Sequence, residues 1–291
     1  MSVIIRAPKI SDIKPCGRIL YEAFKNINER HGYKNIEVPN PESGSQLAAF
    51  CIKNPLFFGV VAELDGKVVG STFTDERNKE ICGYASISVD TSVQGKGIGC
   101  RLVNAALERS RSRGSKCIRF LQHTFNRHSL GLYTSLGFEV KELVVLLASK
   151  LMERGLGDIE IREMTDGDLN ECSALCEKVY GFGRTRELRD SLHLFNPFVA
   201  LRDGNITAYV SSPDTWCQNH GVAETDNDMI ALLQGIRSEI TKPLYIFVPA
   251  RRTGLFRKFL NMGWRVVKPF TLMAMGDYNE PIGCYLSSIN Y

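Results

Sequence analysis

Two periods run through the apolar positions of this chain, a helical one and an alternating one, and the whole series occurs twice. Ile5-Arg6 reads as a short strand that gives way at Ser11-Asp12 to a capped helix reaching about Phe24. Residues 58–70 alternate around Asp65-Gly66, which predicts a hairpin with a tight turn. A helix from Ile98 places Ile98, Leu102, Val103, Ala106 and Leu107 on one face, with Arg101, Asn104, Glu108, Arg109 and Arg111 mostly on the other. A strand over Cys117–Leu121 follows, and then the segment Tyr133-Thr134-Ser135-Leu136-Gly137-Phe138.

The second half echoes all of these but the Ile98 helix, in the same order. Ile161-Arg162 leads into Thr165-Asp166 and a helical stretch to about Phe182; residues 197–209 alternate around Asp203-Gly204. Leu244–Val248 answers Cys117–Leu121, and Phe259-Leu260-Asn261-Met262-Gly263-Trp264 answers Tyr133–Phe138. Four echoes in one order predict two copies of a unit, joined near residues 150–157, where Arg154-Gly155-Leu156-Gly157 breaks the pattern. The expected class is α/β: tandem domains over 1–150 and 158–291, each a mixed central sheet flanked by helices.

Composition narrows this picture. The 291 residues suit two domains of about 145, and 44% hydrophobic content is enough for ordinary cores. No segment approaches the ~18 uninterrupted apolar residues of a membrane helix, and the start through Arg6 is too short for a signal peptide. Nine cysteines, odd in number and irregular in spacing, read as reduced thiols of the cytoplasm. Cys172 and Cys176 could join Cys217 and His220 around zinc, but their helical spacing reads better as core, so no metal is expected. A net charge of +4 suits an anionic cofactor and gives little support for nucleic acid.

The candidate chemistry lies in Ile87-Ser88-Val89-Asp90-Thr91-Ser92-Val93-Gln94-Gly95-Lys96-Gly97-Ile98-Gly99, a strand, a glycine loop and a helix start. Glycines let backbone amides converge where any Cβ would block approach, and the helix adds its unpaired amides and positive dipole end. That is a cradle for a phosphorylated ligand. A Walker loop is excluded because Lys96 is followed by Gly97. The dinucleotide fingerprint fails because Arg119-Phe120-Leu121-Gln122 stands where it needs an acidic residue for the ribose.

The run Gln94-Gly95-Lys96-Gly97-Ile98-Gly99 resembles the Gln/Arg-x-x-Gly-x-Gly/Ala pattern of the GNAT superfamily of N-acyltransferases. A second block similar to that family follows at Asn126-Arg127-His128-Ser129-Leu130-Gly131-Leu132-Tyr133-Thr134-Ser135-Leu136-Gly137-Phe138. The resemblance covers the first half, and the duplication makes the chain look like a tandem, two-copy member. It implies acetyl-CoA as cofactor, lying in a V-shaped gap between the strand ending at Val89 and the strand near Phe120. By the same resemblance the amides from Gly95 to Cys100 hold the pyrophosphate, Ile87, Ser88 and Val89 pair with the pantetheine arm, Asn126 contacts the cofactor and Tyr133 is the general acid. The partner implied is an amine acceptor, small molecule or peptide, and the reaction is transfer of an acetyl group to it.

No general base declares itself. Glu80, Asp75 and Cys82 are candidates, and a water chain is preferred to them. Glu37 and Glu42, in the stretch expected to wall the acceptor, read as solvated loop charges, and His123 and His128 as cap or surface residues. Arg109, Arg111, Arg113 and Lys116 are expected to complement the helix dipole and to meet the ribose phosphate. The second copy passes through His220-Gly221-Val222-Ala223-Glu224-Thr225-Asp226-Asn227-Asp228, without the glycine cluster, and has Phe259 for Tyr133 and Arg252 for Asn126. It is expected to bind no cofactor. A non-catalytic acyl-CoA-binding or sensing module is the alternative reading.

Overall fold

The computed structural model describes residues 3–149, 159–237 and 243–290. The first repeat runs β1 (Ile4–Arg6), α1 (Ile13–Arg30), α2 (Pro41–Lys53), β2 (Phe57–Leu64), β3 (Lys67–Asp75), β4 (Ile81–Val89), α3 (Ile98–Ser112), β5 (Cys117–His123), α4 (Arg127–Ser135) and β6 (Glu139–Ala148). The second runs β7 (Glu160–Glu163), α5 (Leu169–Tyr180), α6 (Thr185–Leu194), β8 (Phe198–Arg202), β9 (Asn205–Val210), β10 (Gly221–Ala223), α7 (Asp226–Arg237), β11 (Tyr245–Pro249), α8 (Thr253–Asn261), β12 (Arg265–Gly276) and β13 (Cys284–Leu286). The junction expected at residues 150–157 lies outside the described residues.

Local chemistry explains the echoes. Asp65 and Asp203 sit at φ 49° and 52°, followed by Gly66 and Gly204 at 75° and 77°, so both hairpins turn through two left-handed residues. Arg6 Nη1 donates to Asp12 Oδ2 at 2.7 Å, and Arg162 Nη1 to Asp168 Oδ2 at 2.7 Å, fastening the first strand of each repeat to its first helix. Asp168, not Asp166, therefore takes the place of Asp12. Strand pairing corrects a second alignment in the same way. Leu121 pairs with Leu272 and Phe247 with Leu146, so Phe247 rather than Val248 answers Leu121. A one-residue slip of that kind exchanges the two faces of a strand.

The two repeats do not keep separate sheets. One sheet of eight strands has the order β1-β2-β3-β4-β5-β12-β6-β11, and a second of five has the order β13-β10-β9-β8-β7. Thus β12 of the second repeat lies between β5 and β6 of the first, while β6 lies between β12 and β11. The exchange is reciprocal. His123 pairs with Phe270 across β5 and β12, and Pro249 with Val144 across β11 and β6. Alternation along β6 divides its burial between two cores: Val145 and Leu147 pack with the second repeat, and Val144 and Leu146 pack with Leu121, Phe247, Phe270 and Leu272.

All neighbouring strands are antiparallel except β4 and β5, which are parallel and pair only from Ile81–Gly83 to Cys117–Arg119. Just beyond Gly83 the β3–β4 register shifts, leaving Ala85 as the extra residue of a bulge. Bulges bend a strand, and this one sits where β4 leaves β5 and the sheet splays. The equivalent gap of the second repeat is closed: β13 pairs with β10, and Ser287 just after it bridges to Phe247 of β11. Among the described residues no helix is long and apolar enough to cross a membrane.

Candidate active site

The splay between β4 and β5 opens a cleft of about 530 Å³. Ile87, Ser88 and Val89 line it from β4, and Gln94, Gly95, Gly97, Ile98, Gly99 and Cys100 from the glycine loop and the first turn of α3. Asn126 and Tyr133 line it from α4. Eleven of the twelve residues expected at the site are thereby brought together. Lys96 is the exception: it is exposed at the loop and is not part of the lining.

The loop has the shape of an anion cradle. Gly95 and Gly97 lie at φ +79° and +76°, a region that side chains strongly disfavour, with no heavy atom within 4 Å of where a Cβ would stand. Gly97 is the N-cap of α3 and offers no side chain to satisfy the helix amides, and the first turn carries no acid. An uncapped N-terminus with its dipole end facing the cleft attracts phosphate. Gln94 Nε2 donates to the Val89 carbonyl at 3.0 Å, tying the loop back to the end of β4. Asn126 Oδ1 accepts the Ser129 amide at 3.2 Å as the N-cap of α4, while the residue also lines the cleft.

Two polar side-chain atoms in this lining are buried without a partner, Ser88 Oγ on β4 and Gln122 Nε2 on β5. Orphaned buried donors are costly unless a ligand meets them. Tyr133 packs its ring against Phe120 and Phe138, with centroids 4.5 and 5.7 Å apart, and is 3% exposed. Burial pushes its phenol pKa above the ordinary value, so the hydroxyl stays protonated across the physiological range.

The sequence candidates for a base are all spent elsewhere. Asp75 is buried and accepts from Arg77 and Asn290. Glu80 is exposed and pairs with Lys116 at 2.6 Å. Cys82 is buried, accepts from Ser110 Oγ at 3.2 Å, and has its thiol pushed up to about 11 by that burial. Three of the basic residues at the end of α3 and beyond it are turned from the phosphate end: Arg109 and Arg113 pair with Glu76, at 2.9 and 3.2 Å, and Lys116 pairs with Glu80.

Glu42 is exposed as expected, but Glu37 is not a solvated loop charge and His123 is not a surface residue. Their side chains are 4% and 6% exposed, and His123 Nε2 lies 2.8 Å from Glu37 Oε1. Lys268 of β12, 1% exposed, donates to Glu37 Oε1 at 2.9 Å, Asn28 Oδ1 at 2.7 Å and the Lys34 carbonyl at 2.9 Å. His123 lines the same cleft as Tyr133, and exposed His128 lines it too. Stacking joins the loop after α1 to the start of α4: Tyr33 on Phe125 at 4.5 Å, and Phe125 on His123 at 4.8 Å.

Cys172 and Cys176 are buried in the core of the second repeat. Among the described residues no group of three His, Cys, Asp or Glu side chains is placed to hold a metal.

Residues 20–138 match the family described as Acetyltransferase (GNAT) family. Over 90 residues the chain is 33% identical to an uncharacterized N-acetyltransferase of Methanocaldococcus jannaschii, a match covering 29% of this chain and 40% of that relative. The chain therefore spans less than half the length of this curated relative. In fold it is similar to a candidate acetyltransferase of Pyrococcus horikoshii, with TM-score 0.70 and 18% identity over 99% of this chain and 96% of that one. It is likewise similar to a tandem GNAT protein from the clavulanic acid biosynthesis pathway, with TM-score 0.61 and 10% identity over 94% and 98%.

Proposed function

Since residues 20–138 of this chain belong to the acetyltransferase (GNAT) family, we propose that the chain is an acetyl-CoA-dependent N-acetyltransferase with one working site, in the first repeat. One observation carries this reading: the β4–β5 gap is open and meets the uncapped start of α3 beside Tyr133, whereas its counterpart is closed by β13. The acceptor is a primary amine on a small molecule or a peptide. Nine free cysteines fit work in the reducing cytoplasm.

The residues present fit the cofactor. Amides from Gly95 to Cys100 would hold the pyrophosphate, the backbone of Ile87, Ser88 and Val89 would lie along the pantetheine arm, and the orphaned Ser88 Oγ and Gln122 Nε2 would gain partners. Acetyl-CoA supplies an activated acyl group, a thioester open to attack by a neutral amine. Free amides of β4 beyond Gly83 would polarise the carbonyl, and Tyr133 would protonate the departing sulfur. Asn126 would hold the ligand while capping α4. A merely binding module has no use for a phenol at the sulfur, and this favours catalysis over sensing.

The test combines calorimetry with acetyl-CoA and release of free thiol over a panel of amino acids, polyamines, amino sugars and peptide N-termini. One site per chain and thiol release with a member of the panel support the reading. Binding without turnover across the panel moves the chain to the sensing alternative, and no binding removes both.

A further inference from the structure

We infer that His123 takes the proton of the incoming amine, that Glu37 orients its ring, and that the second repeat supplies the balancing cation, Lys268. The inference rests on the acetyltransferase reading above and completes it, because Asp75, Glu80 and Cys82 are engaged elsewhere, while His123 is held by a carboxylate in the cleft lining.

The tautomer follows from the contacts. Glu37 is ionised: burial works to raise its carboxyl, but His123 and Lys268 outweigh that and hold it below the ordinary range. A carboxylate only accepts, so His123 Nε2 must carry the hydrogen of the 2.8 Å contact. The lone pair is then on Nδ1. Among the described residues that atom has no hydrogen-bond partner, and it is not one of the buried polar atoms cut off from contact. The ring cannot swing away, being stacked on Phe125 at 4.8 Å, tilted against Phe270 at 4.8 Å and met edge-on by Phe24 at 5.7 Å.

The charged or titratable groups around it come from every neighbouring element. They are Arg30 at the end of α1, Glu37 in the following loop, Tyr84 of β4, Cys100 of α3, His128 and Tyr133 of α4, and Lys268 of β12. The Cys217 thiol, near Glu37 and Lys268, is pushed upward by its burial and stays protonated. Lys268 shares the Glu37 carboxylate with the ring, so the acid that orients Nε2 is itself charge-balanced and held in place. In the step itself the amine nitrogen bonds to the acetyl carbon and the carbon–sulfur bond breaks. The sulfur takes the Tyr133 proton, and the surplus proton on nitrogen passes to His123 Nδ1. His123 then releases its proton to solvent, from which Tyr133 is reprotonated. Here His123 is a catalytic residue; Glu37 and Lys268 are positioning residues.

Nitrogen-15 NMR of the imidazoles in the full chain reads this without an acceptor, with H123N identifying the signal among the five histidines. The neutral ring should show hydrogen on Nε2. Glu37→Leu should raise the share of rings with hydrogen on Nδ1, whereas Lys268→Met, which keeps the Glu37 carboxylate, should leave hydrogen on Nε2. Hydrogen on Nδ1 in the wild type, or a tautomer that Glu37→Leu leaves unchanged, overturns the proposal. In thiol release with a reactive amine from the panel, His123→Ala should lose about a hundredfold in kcat. It should also lose the acidic limb of its pH profile and recover in part with added imidazole, at unchanged acetyl-CoA affinity. An active wild type matched by His123→Ala overturns the role of His123 alone, whereas absent cofactor binding in the wild type counts against the acetyltransferase reading.

Discussion

Arg252 holds Asp226 at the start of α7, its Nη2 donating to Oδ1 at 2.7 Å. Arg252 is the N-cap of α8 as Asn126 is of α4, so the pair fills the place that the first repeat leaves open. Thr225 Oγ1 accepts the Asp228 amide at 3.2 Å, and Arg202 pairs with the Asp228 carboxylate, so this helix end satisfies itself. With β13 lying in the adjacent gap, calorimetric titration with acetyl-CoA should give one site per chain. Two equivalent sites would contradict the closed geometry.

Gly97→Val should keep the fold and lose the cofactor. At φ +76° with no neighbour within 4 Å, the side chain meets no wall, but its own backbone leaves the left-handed region and turns the amides away. Loss of one or two charge-assisted hydrogen bonds corresponds to roughly tenfold to a hundredfold in affinity. Gly99 is a gentler site, since it lies inside α3 and its Cβ would stand 3.5 Å from Leu132 Cδ2, an ordinary contact. Calorimetry on Gly97→Val, with Gly99→Ala beside it as the folding control, decides whether the loop grips phosphate.

Tyr133→Phe should lower kcat by about a hundredfold and leave acetyl-CoA affinity nearly unchanged, because the hydroxyl is used only as the thiolate departs. The sign of its titration adds a second check. Burial raises the phenol, so the protonated donor persists as pH rises, and the wild-type rate should show no alkaline loss up to about pH 10 from this group. A rate unchanged in Tyr133→Phe, measured where chemistry limits turnover, returns the residue to packing alone.

What the sequence showed and what it hid divide by distance along the chain. The glycine loop, both Asp-Gly hairpins and the α4 cap are short-range chemistry, readable from a few adjacent residues. The exchange of β12 and β6 is not, because alternation tells which way a strand faces and never which strand lies beside it. His123 and Glu37 are 86 residues apart, and Lys268 is 231 from Glu37, so neither burial nor pairing could be seen until the sheet was assembled. Glu37 looked like a loop charge because its partners come from β5 and from the other repeat. The Asp168 and Phe247 alignments slipped for a related reason, since only hydrogen bonds and register fix which residue answers which.

Stability should fall in mild acid through His220. It is fully buried, with Nδ1 3.4 Å from Glu187 Oε1 and Nε2 3.2 Å from the Tyr209 hydroxyl. Burial, with the nearby Arg184 charge, brings its pKa down to about 4. An unfolded histidine titrates near 6.5, so between about 6.5 and 4 the unfolded chain binds the proton and the folded one does not. Stability is therefore lost as pH falls through that window, by about 2 kcal/mol between pH 7 and 5. Glu187, held low by Arg184 and His220 against its own burial, acts in the same direction at still lower pH. Urea unfolding of wild type and His220→Asn at the two pH values measures this; an equal slope in both would assign the loss elsewhere.

The two repeats should not fold apart. A chain of residues 1–150 retains β5 and β6 but lacks β12 between them and β11 on the outer edge of β6. Leu121, Val144, Val145, Leu146 and Leu147 would then lose their cover, since all five pack against residues of the second repeat. Burying a side chain of this kind contributes about 2 kcal/mol, and five of them approach the whole stability of an ordinary domain. The exposed edges of β5 and β6 would also invite pairing with other chains. Residues 1–150 expressed alone should therefore aggregate or lack a cooperative thermal transition, and co-expression with residues 151–291 should restore a soluble one-to-one complex. A monomeric 1–150 segment melting like the full chain would show that the exchanged strand is dispensable.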